Sequence, residues 1–262
     1  MAPEISVVVP LRNESANVRP LEQRVFRAFH SMPGGIELLL VDDASADDTW
    51  QQVLEVERGN PGVRAFRLLR HQGQSAALWT GFRSSRGPIL ATLDGDLQND
   101  PADLPSMMEY LAGCDMVCGV RAKRADNAVR RLSSRLARMA VRLTLRMDFA
   151  DPGCNQRVFR RAILDAIPAF DGMHRFMPFL ARNAGALVKE FPVPHYSRIA
   201  GRSKYGVWNR LGPGLLDLVM VRWYLKRQIR MPGLEPPSNR HSREEPARRK
   251  DSNNLSNSGL LQ

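Results

Sequence analysis

Asp94-Gly95-Asp96 sets two carboxylates one residue apart, directly after the apolar run Ile89–Leu93. Carboxylates so spaced at a strand tip can grip a divalent cation whose other ligands are the oxygens of a nucleotide diphosphate. Such a cation acts as a Lewis acid on a departing diphosphate. Gly95 leaves room for close backbone approach. The same tripeptide serves equally as a solvated turn, because Asp and Gly are common turn formers. What favours chemistry is its place, after a strand and before Leu97-Gln98-Asn99-Asp100-Pro101. Asp42-Asp43, after Ile36–Val41, has the acceptors to hold a base or ribose, or to cap a following helix. Arg70-His71-Gln72-Gly73 ends a third apolar run. His71 by itself reads as a surface polar residue rather than a catalyst.

These residues need a scaffold that gathers strand ends. Ile5–Val9 is a β-branched run stopped by Pro10, and Val18, Leu21, Val25, Phe26 and Phe29 follow at helical spacing. Ile36–Val41 is a second strand, and Ser45 to Asp48 supply capping residues for a helix through Trp50, Val53 and Leu54. Val63–Leu69 reads as a strand, Gln74 to Ser84 as a helix and Ile89–Leu93 as a fourth strand. This rhythm predicts an α/β fold with a Rossmann-like, mostly parallel sheet flanked by helices. Ligands of such sheets bind beyond the carboxyl ends of the strands. Those ends carry Asn13 and Glu14, Asp42 and Asp43, Arg70 to Gly73, and Asp94 and Asp96.

The second half is less regular. Cys114–Gly119 reads as a strand, and Ala128–Met147 as a long amphipathic helix. Leu132, Leu136, Met139, Ala140, Leu143 and Met147 share one face of it, opposite Arg131, Arg135, Arg138, Arg142 and Arg146. Val207 to Arg230 is a second amphipathic candidate. After Met231 the composition turns to Pro, Ser, Asn and mixed charge, so the expected organisation is a catalytic domain at 1–231 and a disordered polar tail at 232–262.

Charge is concentrated rather than spread. The formal net charge is +11, yet residues 121–147 hold nine Lys/Arg against Asp126, and residues 198–231 hold eight against Asp217. The remainder is net acidic, which points to a local anionic partner such as lipid phosphate or a membrane surface. Nucleic acid is not the expected partner, because no recognisable binding module or stacking aromatics accompany the high pI. An arginine face can simply be solvated, but a helix lying on an anionic leaflet explains both the charge and the apolar stripe. Three cysteines form neither a disulfide framework nor a zinc pattern, and Met1 to Pro10 show neither the basic region nor the long apolar run expected of a signal peptide. The nearest approach to a spanning segment, Leu215 to Val221, is short and carries Asp217. The expected location is therefore cytoplasmic, peripheral on the inner face of the membrane.

Pro10-Leu11-Arg12-Asn13-Glu14, Val41-Asp42-Asp43-Ala44-Ser45, Arg70-His71-Gln72-Gly73-Gln74 and Leu93-Asp94-Gly95-Asp96-Leu97-Gln98 together resemble the family 2 glycosyltransferases with the GT-A fold. Asp151 to Arg161, His174-Arg175-Phe176 and Gly201-Arg202-Ser203-Lys204-Tyr205-Gly206 look like the polyprenyl-phosphate branch of that family, which includes dolichol-phosphate mannose synthase and undecaprenyl-phosphate sugar transferases. The resemblance implies inverting transfer of a sugar from a UDP- or GDP-linked donor to a polyprenyl phosphate, with Mg²⁺ or Mn²⁺. It implies that Pro10, Asn13, Glu14, Asp42, Asp43 and Gly73 belong to the donor site, with Asp42 and Asp43 on the nucleoside. Asp94 would sit by the diphosphate and, with Asp96 and Gln98, form the metal site. Arg121, Arg131, Ser134 and Arg135 match positions near the acceptor phosphate, and Arg202, Ser203 and Lys204 match a loop that closes on both phosphates. The chain departs from the branch in three places. Asn155 stands where glycine is usual, and Gly95 stands where alanine is commoner, a change expected to be harmless. A polar tail replaces the transmembrane helices of many members, so either the amphipathic helices suffice for attachment or a separate small membrane-anchoring protein recruits the chain.

A lipid phosphate is already ionised near neutral pH and can attack the anomeric carbon without a base. Catalysis is then chiefly positioning and charge stabilisation, for which the planar fork of arginine is well suited. A sugar-hydroxyl acceptor is the alternative and would require a general base. A non-catalytic nucleotide or nucleic-acid binder is a third reading, in which Asp96 would be dispensable.

Overall fold

The computed structural model of the chain describes residues 2–32, 34–121, 139–196 and 208–227. In chain order the elements are β1 (Ile5–Leu11), α1 (Ser15–Ala28), β2 (Ile36–Asp42), α2 (Thr49–Gly59), β3 (Val63–Arg67), α3 (Gln74–Ser84), β4 (Ile89–Thr92) and α4 (Asp103–Glu109). A 3₁₀ turn at Tyr110–Gly113 leads to β5 (Met116–Arg121). Then come a helical run at 139–145 (α5), β6 (Arg157–Arg160), α6 (Ile163–Ala166), α7 (Met173–Asn183), β7 (Val188–Val193) and α8 (Trp208–Arg227).

Among the described residues, seven strands form one sheet in the order β3-β2-β1-β4-β6-β5-β7. β1 pairs in parallel with both β2 and β4, and β2 with β3, as the alternation of strands and helices requires. β1 reads as a continuous apolar run because helices cover both of its faces. Val7, Val9 and Leu11 pack with Val18, Leu21 and Val25 of α1, while Val8 packs with Leu78 and Phe82 of α3. Gly81 lets α3 lie close, since a Cβ there would run into Val8.

The sequence reading missed β6 and β7. β6 runs antiparallel to both β4 and β5, and β7 is parallel to β5, so the sheet is mostly parallel with one reversed strand. β3 stops at Arg67 rather than Leu69, because its partner β2 ends at Asp42, whose carbonyl accepts the Leu68 amide as the last bond between them, and Leu69 is fully exposed. α2 starts at Thr49, and its first turn is capped by Asp47, which accepts hydrogen bonds from the Thr49 amide at 3.0 Å and hydroxyl at 2.5 Å.

Only part of the expected helix at 128–147 lies within the described residues. There Leu145 is buried, whereas Met139 and Leu143 are 54% and 72% exposed, so those two members of the apolar face look away from the core. On α8, Leu218 and Val221 are buried while Leu216, Val219, Met220 and Trp223 are exposed. The expected tail at 232–262 lies outside the described residues. No helix among the described residues is long and apolar enough to cross a membrane.

Candidate functional site

The carboxyl ends of β1, β2 and β4 meet at one edge of the sheet, and cross-bonded loops fix their geometry. Asn13, in the left-handed region at φ 48°, donates its amide to Ser45 Oγ at 2.8 Å and accepts the Ala46 amide on Oδ1 at 2.9 Å. The Glu14 amide donates to Thr49 Oγ1 at 2.8 Å, and its carboxylate accepts Asn17 Nδ2 at 2.7 Å. Asn13 and Glu14 thus clamp the loop after β1 to the loop after β2.

Asp42 and Asp43 part company. Asp42 is fully buried, bonded to the Ser45 hydroxyl and paired with Arg67 Nε at 3.1 Å. These contacts tie the turn after β2 to Ser45 and to β3, and adjacent residues at the end of a strand point to opposite sides. Asp43 accepts the amides of Gln72 at 2.8 Å and Gly73 at 2.9 Å, and contacts His71 Nδ1 at 2.6 Å. That carboxylate draws the 70–73 loop onto the β2 end. Gly73 has φ 89°, which favours glycine at the start of α3.

Asp94 is held from two sides. Gln74 Nε2 donates to its Oδ1 at 3.0 Å and Asn155 Nδ2 donates to the same oxygen at 3.2 Å. Burial and the charge of Asp96 push its pKa up to about 6, against the opposing pull of the Asn155 hydrogen bond, Arg121 and Arg157. Asp96 accepts the Gln98 amide at 3.2 Å across Leu97, which sits at φ 58°. Gln98 Nε2 donates to the Tyr196 carbonyl at 3.3 Å, which leaves its carbonyl oxygen as the atom suited to a metal. A Cβ on Gly95 would stand 2.5 Å from Leu11 Cδ2 and 3.3 Å from the Pro10 carbonyl. Alanine at 95 is therefore not neutral in this chain, since the buried Leu11 would have to move.

Arg121, at the end of β5, forms a paired bridge to Asp151, Nε to Oδ2 at 2.6 Å and Nη2 to Oδ1 at 2.8 Å. Burial alone would lower its pKa, but the Asp151 hydrogen bonds and charge hold it above the ordinary arginine value. Arg157 is 1% exposed and donates to the carbonyls of His174 at 2.6 Å and Pro152 at 2.9 Å. His174 Nδ1 meets Ser75 Oγ at 2.6 Å, and that hydroxyl already accepts the Gly172 amide at 2.9 Å. Burial, then Arg175 and Arg157, push the His174 pKa down to about 3.

The structure brings Pro10, Asn13, Glu14, Asp43, Gly73, Asp94, Asp96, Gln98 and Arg121 to the edge where the strands end. Arg131, Ser134, Arg135, Arg202, Ser203 and Lys204 lie outside the described residues. Gln74 and Asp151 were not singled out from the sequence, and Asn155 only as a departure from the branch, although each lies inside a recognised motif. Their partners are 20, 61 and 30 residues away, so their roles appear only once the strands are placed.

The chain has relatives among known proteins. The family model described as glycosyl transferase family 2 matches residues 6–168. The dodecaprenyl-phosphate galacturonate synthase of Rhizobium johnstonii is 37% identical over 235 residues, covering 87% of this chain and 69% of that protein. The undecaprenyl-phosphate 4-deoxy-4-formamido-L-arabinose transferase of Pseudomonas aeruginosa is 38% identical over 217 residues, covering 82% and 64%. The chain thus spans about two thirds of the length of these relatives.

Among solved structures, glucosyl-3-phosphoglycerate synthase of Mycobacterium tuberculosis with Mg²⁺ and UDP superposes with a TM-score of 0.63 at 20% identity, covering 84% of this chain and 79% of that one. A mannosyltransferase of Pyrobaculum calidifontis with GDP-mannose and Mn²⁺ gives 0.59 at 19%, covering 86% and 70%. Sheet and neighbours define a GT-A glycosyltransferase fold. The chain belongs to glycosyl transferase family 2, and it is a transferase enzyme.

Proposed function

We propose that this enzyme moves a sugar from a UDP- or GDP-linked donor to a polyprenyl phosphate at the cytosolic face of a membrane, with inversion at the anomeric carbon. The observation that carries this is the Arg121 guanidinium, gripped by Asp151 and near enough to Asp94 for their charges to interact. A fixed cation beside the diphosphate end of the crevice suits an acceptor that is itself a phosphate. The polyprenyl-phosphate specificity in the names of the relatives supports the same acceptor.

Each residue then has a task. Asp43 holds the 70–73 loop against the β2 end as a wall for the nucleoside. Asp94 and Asp96 supply oxygen donors, the set that suits Mg²⁺ or Mn²⁺. Gln98 and the donor oxygens would complete the coordination of that cation. When bound, the metal supplies Lewis-acid stabilisation to the leaving diphosphate. Gln74 and Asn155 orient Asp94 for that task. Arg121 orients the attacking phosphate, joined in this reading by Arg131, Ser134 and Arg135, with Arg202, Ser203 and Lys204 closing over the phosphates. Catalysis is assigned to residues 1–231, and attachment to the exposed apolar faces of α5 and α8 rather than to a separate anchoring protein.

Incubation with a panel of labelled nucleotide sugars, a polyprenyl phosphate and Mn²⁺ tests the reading. Label extractable into organic solvent is expected with one donor of the panel. Transfer only to soluble sugar hydroxyls, with a pH optimum set by one carboxylate, would replace it with the glycan-acceptor reading.

A further inference from the structure

A pocket of about 370 Å³ opens where the end of α5 meets α7 and α8. Arg146, Arg222 and Lys226 line it together with Asn183, and among the described residues no acidic side chain does. Arg222 is fixed there by donating to the Thr144 carbonyl, at the last turn of α5. Arg146 is set at φ 54°, just past that helix end. The carboxylate next in sequence, Asp148, pairs instead with Arg142 at 3.5 Å. Three cations around one concavity repel one another unless an anion fills it, and guanidinium groups bind phosphate oxygens through paired hydrogen bonds.

The surroundings say which phosphate. Leu216, Val219 and Trp223 are 74%, 65% and 58% exposed and recur at helical spacing along one stripe of α8. Arg222 and Lys226 border that stripe, and Leu143 of α5 is 72% exposed as well. Arg227 lies over the Trp223 ring at 5.2 Å. Apolar side chains, an amphipathic tryptophan and a cationic border are the pattern of a helix seated at the headgroup level of an anionic leaflet.

We propose that this pocket binds the phosphate of an anionic phospholipid headgroup, so that the chain grips the bilayer at a defined site besides lying on it by general charge. The inference rests on the membrane reading above but not on the transfer reaction, so activity on a detergent-dispersed polyprenyl phosphate can fail or succeed independently of it.

Sedimentation with vesicles of phosphatidylcholine alone, or mixed with phosphatidylglycerol, provides the test. Each basic residue near an anionic surface is worth about 1 kcal/mol, roughly fivefold in partitioning, so losing any two costs on the order of 30-fold by charge alone. R146Q/K226Q should lose about tenfold more than R142Q/R227Q, which removes the same charge from the border of the same face. All four side chains are exposed and both doubles are expected to fold, which their melting temperatures check. Equal losses in the two doubles would overturn the pocket and leave only general charge. Equal binding of the unmodified chain to both vesicle types would overturn it too. Soluble glycerol 3-phosphate that displaces the chain from vesicles at micromolar concentration would make the ligand a free phosphate and overturn the lipid assignment.

Discussion

Arg121 and Asp151, thirty residues apart, face each other fork to fork, with both guanidinium contacts under 3 Å and both side chains largely buried. The pair turns a mobile arginine into a fixed one at the end of β5. Asp151→Asn should keep the shape but lose the charge that holds the guanidinium. Removing one partner of a buried pair costs on the order of 3 kcal/mol. The KM for polyprenyl phosphate should rise at least tenfold while donor binding, read by thermal shift with nucleotide diphosphate, changes little. Equal loss of both would show that the pair supports the fold rather than the acceptor.

Asp43 gathers two backbone amides and His71 through one carboxylate. Asp43→Ala leaves those amides without their acceptor, at about 1–3 kcal/mol. The 70–73 loop should loosen, and the KM for donor should rise about tenfold with little change in that for the lipid. Calorimetric titration with nucleotide diphosphate and Mn²⁺ measures the donor side directly.

Asp94 and Asp96 trade stability for chemistry. In the metal-free enzyme the Asp94 pKa is raised to about 6 by burial and by Asp96. Its contribution to stability is therefore fully present below the unfolded value near 3.8 and is lost as the pH rises through about 6. Asp94→Asn should stabilise the metal-free protein at pH 7 by up to about 3 kcal/mol, a gain that narrows as the pH falls toward 4. The same variant, and Asp96→Ala, should lose on the order of 10²-fold or more in transfer rate. Chelation of divalent cations should abolish transfer by the unmodified enzyme, with recovery on adding Mn²⁺. Urea titration of Asp94→Asn without metal at two pH values checks the stability claim.

His174 carries the opposite sign. Its pKa is depressed to about 3, so the unfolded chain takes up a proton first as the solution is acidified. The stabilisation is present above the unfolded value near 6.5 and is lost as the pH falls toward 3. By pH 5 the enzyme should have lost about 2 kcal/mol from this group. His174→Gln should flatten that part of the pH dependence of urea unfolding, and an unchanged slope would place the titration elsewhere.

The local code of the first half was strong. Apolar runs ending in acidic or glycine-containing turns placed β1, β2 and β4 and put Asp43, Asp94 and Asp96 at strand tips before any pairing was known. α3 began and ended where its spacing indicated, because its apolar positions and Gly73 are contiguous in sequence. β6 escaped notice because Arg157 begins it. An arginine within a short run reads as surface until its donors are seen on the His174 and Pro152 carbonyls.

What the sequence by itself determined is the sheet of alternating strands and helices and the carboxylate chemistry at its edge, since both follow from periodicity and from residues adjacent in the chain. Only the tertiary structure decided that Asp43 faces the 70–73 loop while Asp42 is spent on Ser45 and Arg67, that Asp151 owns Arg121, and that Met139 and Leu143 look outward. Those outcomes depend on hydrogen bonds and packing between segments far apart in the chain, and no local pattern encodes which distant partner a buried charge will meet.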